Sequence, residues 1–513
     1  MSPGDSPRVR GNDWGSLQAP EPDAHTPSLT VSIVVPAYRA GATLPYTLAA
    51  LQAQSYPSHL LEVVVVDDDD GPPLDLPEIR PDNTRCVTSG ESWGRAQACR
   101  TGAAVAEGSV LHWLDADMVP RRDQVAQQMR WHHASDHAVV LGHKLFLDDT
   151  DLPPVEAVHE AVVQDRLEQL FDGRPAEEHH WVEDIWRRTD ELRTAGFRAF
   201  HVHVGATASV GRGLYEEAGG MDVALKLGED VEFGYRLAAR GAVFVAERSA
   251  TSWHLGRSHL MRHGEEVQRF NAPYVAQRIP DLRKFRQERG RSYRVPFVEA
   301  VVETAGHRFE ETQFSVDGLL GAVPSDLQVR VVGPWSQLTD ERRELLRDPL
   351  LEQRLVREEY AGDPRVVLVE EVGESAFPAQ FRLRLPAGWR PGPTSLDDLT
   401  RRMQKRSQGL VSILLGDGQV ARLERTAALE RARRVIREGE DLDDVVDLVS
   451  ETRWIAGEEV GFEHHAATVP GAAPPARRAQ PALDSPGRDA SRAAPAVVGR
   501  RRLLDLFRPR RPR

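Results

Sequence analysis

A chain of 513 residues exceeds one ordinary hydrophobic core, and its 40% hydrophobic and 28% charged residues describe a globular protein of about two to four domains. No apolar run approaches the roughly 20 residues of a membrane helix, and two cysteines, Cys86 and Cys99, exclude a disulfide framework or a thiolate zinc site. Net charge is −13, yet eleven Arg against three Asp after His465 leave −21 on the remainder, which argues against a nucleic-acid-binding body.

Residues 1–28 are rich in Pro, Gly, Ser and Asp, without apolar periodicity or a signal-type apolar segment, and read as the disordered start of a cytoplasmic protein. Order begins at Leu29. Thr30–Val35 reads as a strand stopped by Pro36, and Leu44, Leu48 and Leu51 follow at helical spacing. The nearly unbroken apolar run Leu60–Val66 suits a strand buried on both faces of a parallel sheet. Arg95–Glu107 reads as a helix ended by Gly108, and Val110–Leu114 as a third strand. This alternation predicts a doubly wound α/β sheet in a domain over 29–290.

Farther along, helix Asp123–His133 and strand Ala138–Phe146 precede an amphipathic stretch, Val155–Phe171, and a polar segment of unclear structure, Asp172–Gly196. His201–Val204 reads as a strand, Asp230–Arg240 as a helix closed by Gly241, and Ala242–Ala246 as a short strand. Two helices, Leu260–Arg269 and Pro273–Arg289, complete the domain.

The pattern then restarts in a second, smaller α/β domain over 294–462. Val295–Glu303, Phe314–Leu320 and Leu327–Gly333 resemble the first strand, helix and second strand. Leu114-Asp-Ala-Asp-Met-Val-Pro120 aligns with Leu385-Pro-Ala-Gly-Trp-Arg-Pro391, so Pro386 and Gly388 stand where the aspartates were. Either a degenerate repeat or chance similarity between two α/β segments explains this. Residues 466–513 read as a disordered basic tail. Its end, 500–513, brackets Leu503, Leu504, Leu506 and Phe507 with Arg, and suits either plain solvation or peripheral contact with an anionic membrane.

The chemistry concentrates at strand ends. Asp115 and Asp117 flank Ala116 after a buried strand, and extended residues two apart point to one side, so both carboxylates can face one hard cation such as Mn²⁺ or Mg²⁺. Asp67-Asp-Asp-Asp70 ends the preceding strand, where it forms either a solvated turn or an acceptor for a nucleoside. Gly228-Glu229-Asp230 opens a helix. Acids there commonly cap, but paired with a separate Asp-x-Asp they suggest a general base facing a metal-bound leaving group. His254 follows a strand and could serve the metal or simply the core, while His201 and His203 read as structural or acceptor-lining.

In this order the motifs resemble a family-2 glycosyltransferase of the GT-A fold, a doubly wound mixed sheet, across about Leu29–His259. The opening strand Val31–Tyr38, the turn Val65–Asp68, the helix Ala98–Gly108, the metal motif Leu114–Met118 and the base motif Gly228–Leu237 carry it. The resemblance implies inverting transfer of a sugar from a nucleoside diphosphate, UDP by preference, to a glycan or lipid-linked hydroxyl, in cell-envelope or capsular synthesis at the inner membrane face. It implies donor contacts from Pro36, Ala37, Tyr38, Asp67, Asp68, Arg95 and Asp115. Metal contacts would come from Asp115, Asp117 and His254, and catalysis from Asp230 with Glu229. Cys99-Arg100 departs from the family's Arg-Asn, and Asp69-Asp70 from its Gly-Ser. No Q-x-x-R-W motif, the mark of processive members, follows the base motif Gly228–Leu237. A glycan-binding scaffold, a sugar nucleotidyltransferase and a metal-dependent phosphotransferase are the alternatives.

Overall fold

The computed structural model describes residues 6–21, 24, 26–90, 92–287 and 291–468. The first domain strings together β1 (Val31–Ala37), α1 (Leu44–Gln52), β2 (Leu61–Asp67), β3 (Thr84–Thr88), α2 (Arg95–Val105), β4 (Val110–Leu114), β5 (Met118–Pro120) and α3 (Gln124–Ala134). It continues with β6 (Ala138–Leu147), α4 (Val155–Val163), α5 (Leu167–Leu170), β7 (Ala176–Glu178) and α6 (His180–Arg188). Then come β8 (Thr207–Gly211), α7 (Arg212–Glu217), α8 (Glu229–Ala239), β9 (Val243–Leu255) and α9 (His259–Arg278).

One mixed sheet runs β3-β2-β1-β4-β8-β6-β9-β5, with β7 beside β6. β1 pairs in parallel with β2 and β4. Val63, Val64, Val65 and Val66 are fully buried, as a strand covered on both faces requires. β8 lies antiparallel between β4 and β6, and its Thr207 and Ala208 oppose Leu114 and Trp113. The first strand does not stop at Pro36. It runs on to Ala37, because Pro36 falls at its last ladder positions, opposite Val66.

Four expectations are overturned. His201–Val204 is not a strand: Gly196–Val202 is a 3₁₀ segment and the sheet strand is the later β8. The short strand at Ala242 extends through 13 residues to Leu255, across a register shift opposite Gly142 and His143 that hides the continuity. The two helices after Leu260 merge into α9 with a kink at His263. Residues 6–21, within the start expected to be disordered, are packed on the first domain. Val9 and Leu17 are buried, Trp14 meets Trp131 edge-on at 5.2 Å, and Asn12 exchanges hydrogen bonds with the Phe244 backbone at 2.9 Å. These anchors follow no helical or strand period, so no pattern exposes them. The basic tail after His465, including 500–513, lies outside the described residues beyond 468.

The second domain contains β10 (Val298–Glu303), α10 (Phe309–Leu320), β11 (Leu327–Val332), α11 (Leu351–Glu359), β12 (Val366–Val369), β13 (Phe381–Leu385) and β14 (Trp389–Pro391). It ends with α12 (Ser395–Arg406), β15 (Gln408–Leu414), β16 (Val420–Arg425), α13 (Thr426–Val435), α14 (Leu442–Val449), β17 (Glu451–Ala456) and β18 (Phe462–His464). Its sheet order is β12-β11-β10-β13-β16-β15-β17. Position by position this reproduces β3-β2-β1-β4-β8-β6-β9, and each neighbouring pair keeps the same parallel or antiparallel sense. β4 ends at Leu114 and β5 starts at Met118, whereas β13 ends at Leu385 and β14 starts at Trp389. The tripeptides between them are Asp115-Ala-Asp117 and Pro386-Ala-Gly388.

Buried charge ties the domains together. Arg431 on α13 is 1% exposed and has no carboxylate partner among the described residues. Its guanidinium donates to the carbonyls of Gly241 at 2.9 Å, Ala242 and Gly11, so it joins the end of α8, β9 and the N-terminal arm. A Cβ on Gly241 would stand 2.7 Å from the Arg431 backbone nitrogen. Asp281, also buried, accepts from Arg198 and His201 of the first domain and Gln380 and Gln404 of the second. Arg431→Met therefore leaves several buried carbonyls without donors. It is expected to cost about 3 kcal/mol and to expose residues 6–17 to protease. Melting curves and limited proteolysis check both; an unchanged melting temperature contradicts the assignment.

Candidate active site

The carboxyl ends of β1, β2 and β4 open onto one cleft, the usual ligand position of an open α/β sheet. Asp115 and Asp117 leave β4 there. β9 runs beside β5 with His254 opposite Met118, and the Leu255 amide donates to the Asp117 carbonyl at 2.8 Å. This register carries His254 Nε2 to 3.6 Å from Asp117 Oδ2. His254 Nδ1–H donates to the Gly256 carbonyl at 3.0 Å, which leaves Nε2 on the side of Asp117.

Arg95, the first residue of α2, is the hub. Its Nε donates to Asp115 Oδ1 at 2.9 Å, Nη1 to Glu229 Oε1 at 3.2 Å and Nη2 to the Gly205 carbonyl at 2.6 Å. The Gly205 amide in turn donates to Asp230 Oδ2 at 3.4 Å. Carboxylates from β4 and from the start of α8 thus meet across a single guanidinium. Arg95, expected to touch the donor, gives three of its five N–H groups to these protein oxygens.

Gly228, at φ +77°, turns the chain into α8 and directs Glu229 and Asp230 at the cleft. A Cβ there would meet the Asn271 side chain of α9 at 3.2 Å. Glu229 is buried, and desolvation together with neighbouring Asp230 pushes its carboxyl up to about 7 despite Arg95. His203 donates from Nδ1 to the Asp230 carbonyl at 2.7 Å, and burial holds its imidazole below the usual range, hence neutral. Asp117 is also shifted upward, chiefly by desolvation, against the pull of His254.

At the other end of the cleft Asp67 and Asp68 divide their roles. Asp67 accepts the amides of Asp69 at 3.1 Å and Leu74 at 3.0 Å, so both its oxygens shape the turn. Asp68 Oδ2 accepts from the Gly94 amide at 2.8 Å, while its Oδ1 has no hydrogen-bond partner among the described residues. Pro36 and Ala37 close β1 beside Asp67, and Tyr38 is 59% exposed above them. Sequence reasoning missed Trp93, which is 66% exposed with the Lys226 ammonium 4.5 Å from its ring, and Lys144 of β6. An aromatic next to the helix-opening Gly94 was the only available signal for Trp93; Lys144 gave none.

Among the described residues no cluster of three or more His, Cys, Asp or Glu side chains has the spacing of a metal cage. A pair does suit a cation supplemented by substrate oxygens. Asp117 Oδ1 is buried without a hydrogen-bond partner among the described residues, and His254 Nε2 lies beside the same carboxylate. Asp115, expected as a further ligand, has Oδ1 held by Arg95.

Residues 32–173 match the family described as Glycosyl transferase family 2. A hyaluronan synthase from Pasteurella multocida is 24% identical over 395 residues, covering 72% of this chain and 38% of its own. A chondroitin synthase from Escherichia coli is 23% identical over 388 residues, covering 72% of this chain and 54% of its own. The chain thus spans about half, or less, of the length of these curated relatives. A solved mannosyltransferase from Pyrobaculum calidifontis, in complex with GDP-mannose and Mn²⁺, is similar at TM-score 0.32 and 18% identity over 55% of this chain and 66% of that one.

Glu229 supplies a test of the site's electrostatics. A carboxyl raised from 4.5 to about 7 keeps a proton in the folded state that the unfolded chain releases. Wild-type stability therefore declines relative to Glu229→Gln as pH rises from 4.5 to about 7, and the difference levels off above. Thermal melts of both proteins between pH 4.5 and 8 read this directly. A pH-independent gap would mean that Glu229 titrates as an ordinary carboxylate.

Proposed function

Because residues 32–173 belong to glycosyl transferase family 2, we propose that this chain moves a sugar from a nucleoside-diphosphate donor, UDP-linked by preference, to a hydroxyl of a glycan or lipid-linked acceptor, with inversion. The observation that carries the proposal is the convergence on one cleft of Asp115 and Glu229 through Arg95, and of Asp230 through Gly205. Likeness to a hyaluronan synthase and a chondroitin synthase favours a growing polysaccharide as acceptor and a cell-envelope or capsular product.

In this reading Asp68 receives the nucleoside, with Tyr38 and Trp93 as exposed faces beside it. Asp230 is the general base. Its Oδ takes the proton of the acceptor hydroxyl as that oxygen attacks C1, and the C1–O bond to the diphosphate breaks on the opposite face. Asp230 is suited to this, since its backbone is fixed by His203 and one carboxylate oxygen is steadied by the Gly205 amide. Glu229 anchors Arg95 and does not itself exchange the proton. A divalent cation, Mn²⁺ or Mg²⁺, would be held by Asp117 and His254, with Asp115 alongside, and would supply Lewis-acid stabilisation of the departing diphosphate.

The second domain is read as a non-catalytic duplicate of the first. Pro386 and Gly388 replace the two aspartates, but Gly439-Glu440-Asp441 repeats Gly228-Glu229-Asp230 before the equivalent helix, α14. Gly439 keeps the left-handed turn at φ +84°. Its acids serve structure: Asp441 caps α14 through the amides of Asp443 and Asp444, and Glu440 pairs with Arg8 of the N-terminal arm. Membrane attachment through 500–513 belongs to the undescribed tail. No helix among the described residues is long and apolar enough to cross a membrane.

Transfer or hydrolysis assayed with UDP- and GDP-sugars plus Mn²⁺ tests the reading. Asp230→Asn is expected to lower kcat by about 10²–10⁴-fold while nucleoside-diphosphate binding persists. Asp117→Ala should instead weaken the part of donor binding that depends on the cation. Asp441→Asn, which keeps the helix cap, should leave turnover unchanged. Near-native turnover in Asp230→Asn would remove the base assignment.

A further inference from the structure

Lys144 lies on β6 directly opposite Ser252 of β9 and is 6% exposed. Such burial of an ammonium demands a reason, because desolvation is costly. The charges that act on it are, in order, Asp115, Asp230, Arg95 and Asp117, so it stands between the metal-side acids and the proposed base. Yet none of these carboxylates forms an ion pair with it: Asp115 is taken by Arg95 and Asp117 faces His254. Burial lowers it to about 8, which still leaves it cationic at neutral pH.

Its surroundings are polar groups without protein partners. Ser252 Oγ is buried with no hydrogen-bond partner among the described residues, and so is Nδ1 of His179, whose imidazole feels the Lys144 charge. His179 is held neutral by desolvation and by Lys144 itself, and it packs on Phe146, which also touches His254 at 4.9 Å. Lys144 and Ser252 are paired across the β6–β9 register, and this buried cation with the two unsatisfied polar side chains, Ser252 and His179, forms a site built for something that enters from outside.

We propose that Lys144 binds the terminal phosphate of the nucleoside diphosphate, as a cation that, unlike Arg95, forms no ion pair with a protein carboxylate among the described residues. The inference rests on the reading of this cleft as a nucleotide-sugar site. A donor brings two phosphate charges toward Asp115, Asp117 and Asp230, and a preorganised ammonium offsets the charge that builds as the diphosphate departs. Arg95 then has a second consequence: by occupying Asp115 it leaves Lys144 available to substrate. Of the two anionic groups a nucleotide sugar can carry, phosphate is favoured over a sugar carboxylate because Lys144 stands two residues before Phe146, the partner of His254 in the β6–β9 register, and so near a residue that would hold the cation.

The test is calorimetric binding of UDP, GDP, UMP, UDP-glucose and UDP-glucuronate, with Mn²⁺, to wild type, Lys144→Met and Lys144→Arg. Met matches the length of Lys without its charge, and Lys144→Arg restores the charge should Met disturb folding. The expected result is a loss of about 10- to 100-fold in nucleoside-diphosphate affinity for Lys144→Met, a much smaller loss for UMP, and partial recovery in Lys144→Arg. Equal UDP affinity in wild type and Lys144→Met overturns the proposal and leaves the glycosyltransferase reading standing. If wild type binds neither UDP nor GDP, that reading falls and this one with it. If Lys144→Met loses only the preference for UDP-glucuronate over UDP-glucose, a sugar carboxylate is the partner, and the phosphate assignment is wrong.

Discussion

Four carboxylates converge on a partly desolvated cleft, and like charges at such range resist joint ionisation. Arg95 makes their assembly feasible. It is the first residue of α2, so its position is set by the packing of that helix on β1 and β2, and its three nitrogens reach Asp115, Glu229 and Gly205. The N-terminus of α8 adds a favourable field for Glu229 and Asp230. Through this one guanidinium the strand end that carries Asp115 is registered against the helix that carries Asp230. The distance between the two chemistries follows from helix packing, and no flexible loop sets it.

That clamp was not legible in the sequence, whereas much of the surrounding frame was. β1, β2 and β4 announce themselves because strands covered on both faces need apolar residues at nearly every position. The acids at their ends could then be placed by counting. β8 stayed hidden because Thr207-Ala-Ser-Val-Gly211 contains a single large branched aliphatic, its burial coming from neighbours on both sides. β9 looked short because Glu247-Arg248-Ser249 interrupts its apolar run at the register shift. Partnerships such as Arg95 with Glu229 join residues with no periodic relation, so only the fold can reveal them.

The second domain carries the same frame without the clamp's targets. Its sheet repeats the first in order and sense, and the turn between β13 and β14 keeps its length with Pro386 and Gly388 in place of acids. Without carboxylates there, a guanidinium hub has nothing to neutralise. Its Asp441 caps a helix, and its Glu440 pairs with Arg8 of the N-terminal arm. The tripeptide there is thus accounted for by local folding, and the motif by itself is no sign of catalysis.

The same reasoning explains why the two domains are fastened by buried cations. Arg431 binds carbonyls at the C-terminal end of α8, where the helix dipole favours positive charge, and it also holds the N-terminal arm. Asp281 answers with the opposite charge, shared between His201 of the first domain and Gln380 of the second. Both ends of α8 are therefore fixed by arginine: Arg95 at the acidic start and Arg431 at the finish, reaching in from the other domain. A helix held in this way cannot shift along its axis without breaking one set of contacts. The second domain thus bears on the cleft by fixing the helix on which Asp230 rides, and needs no chemistry of its own to do so.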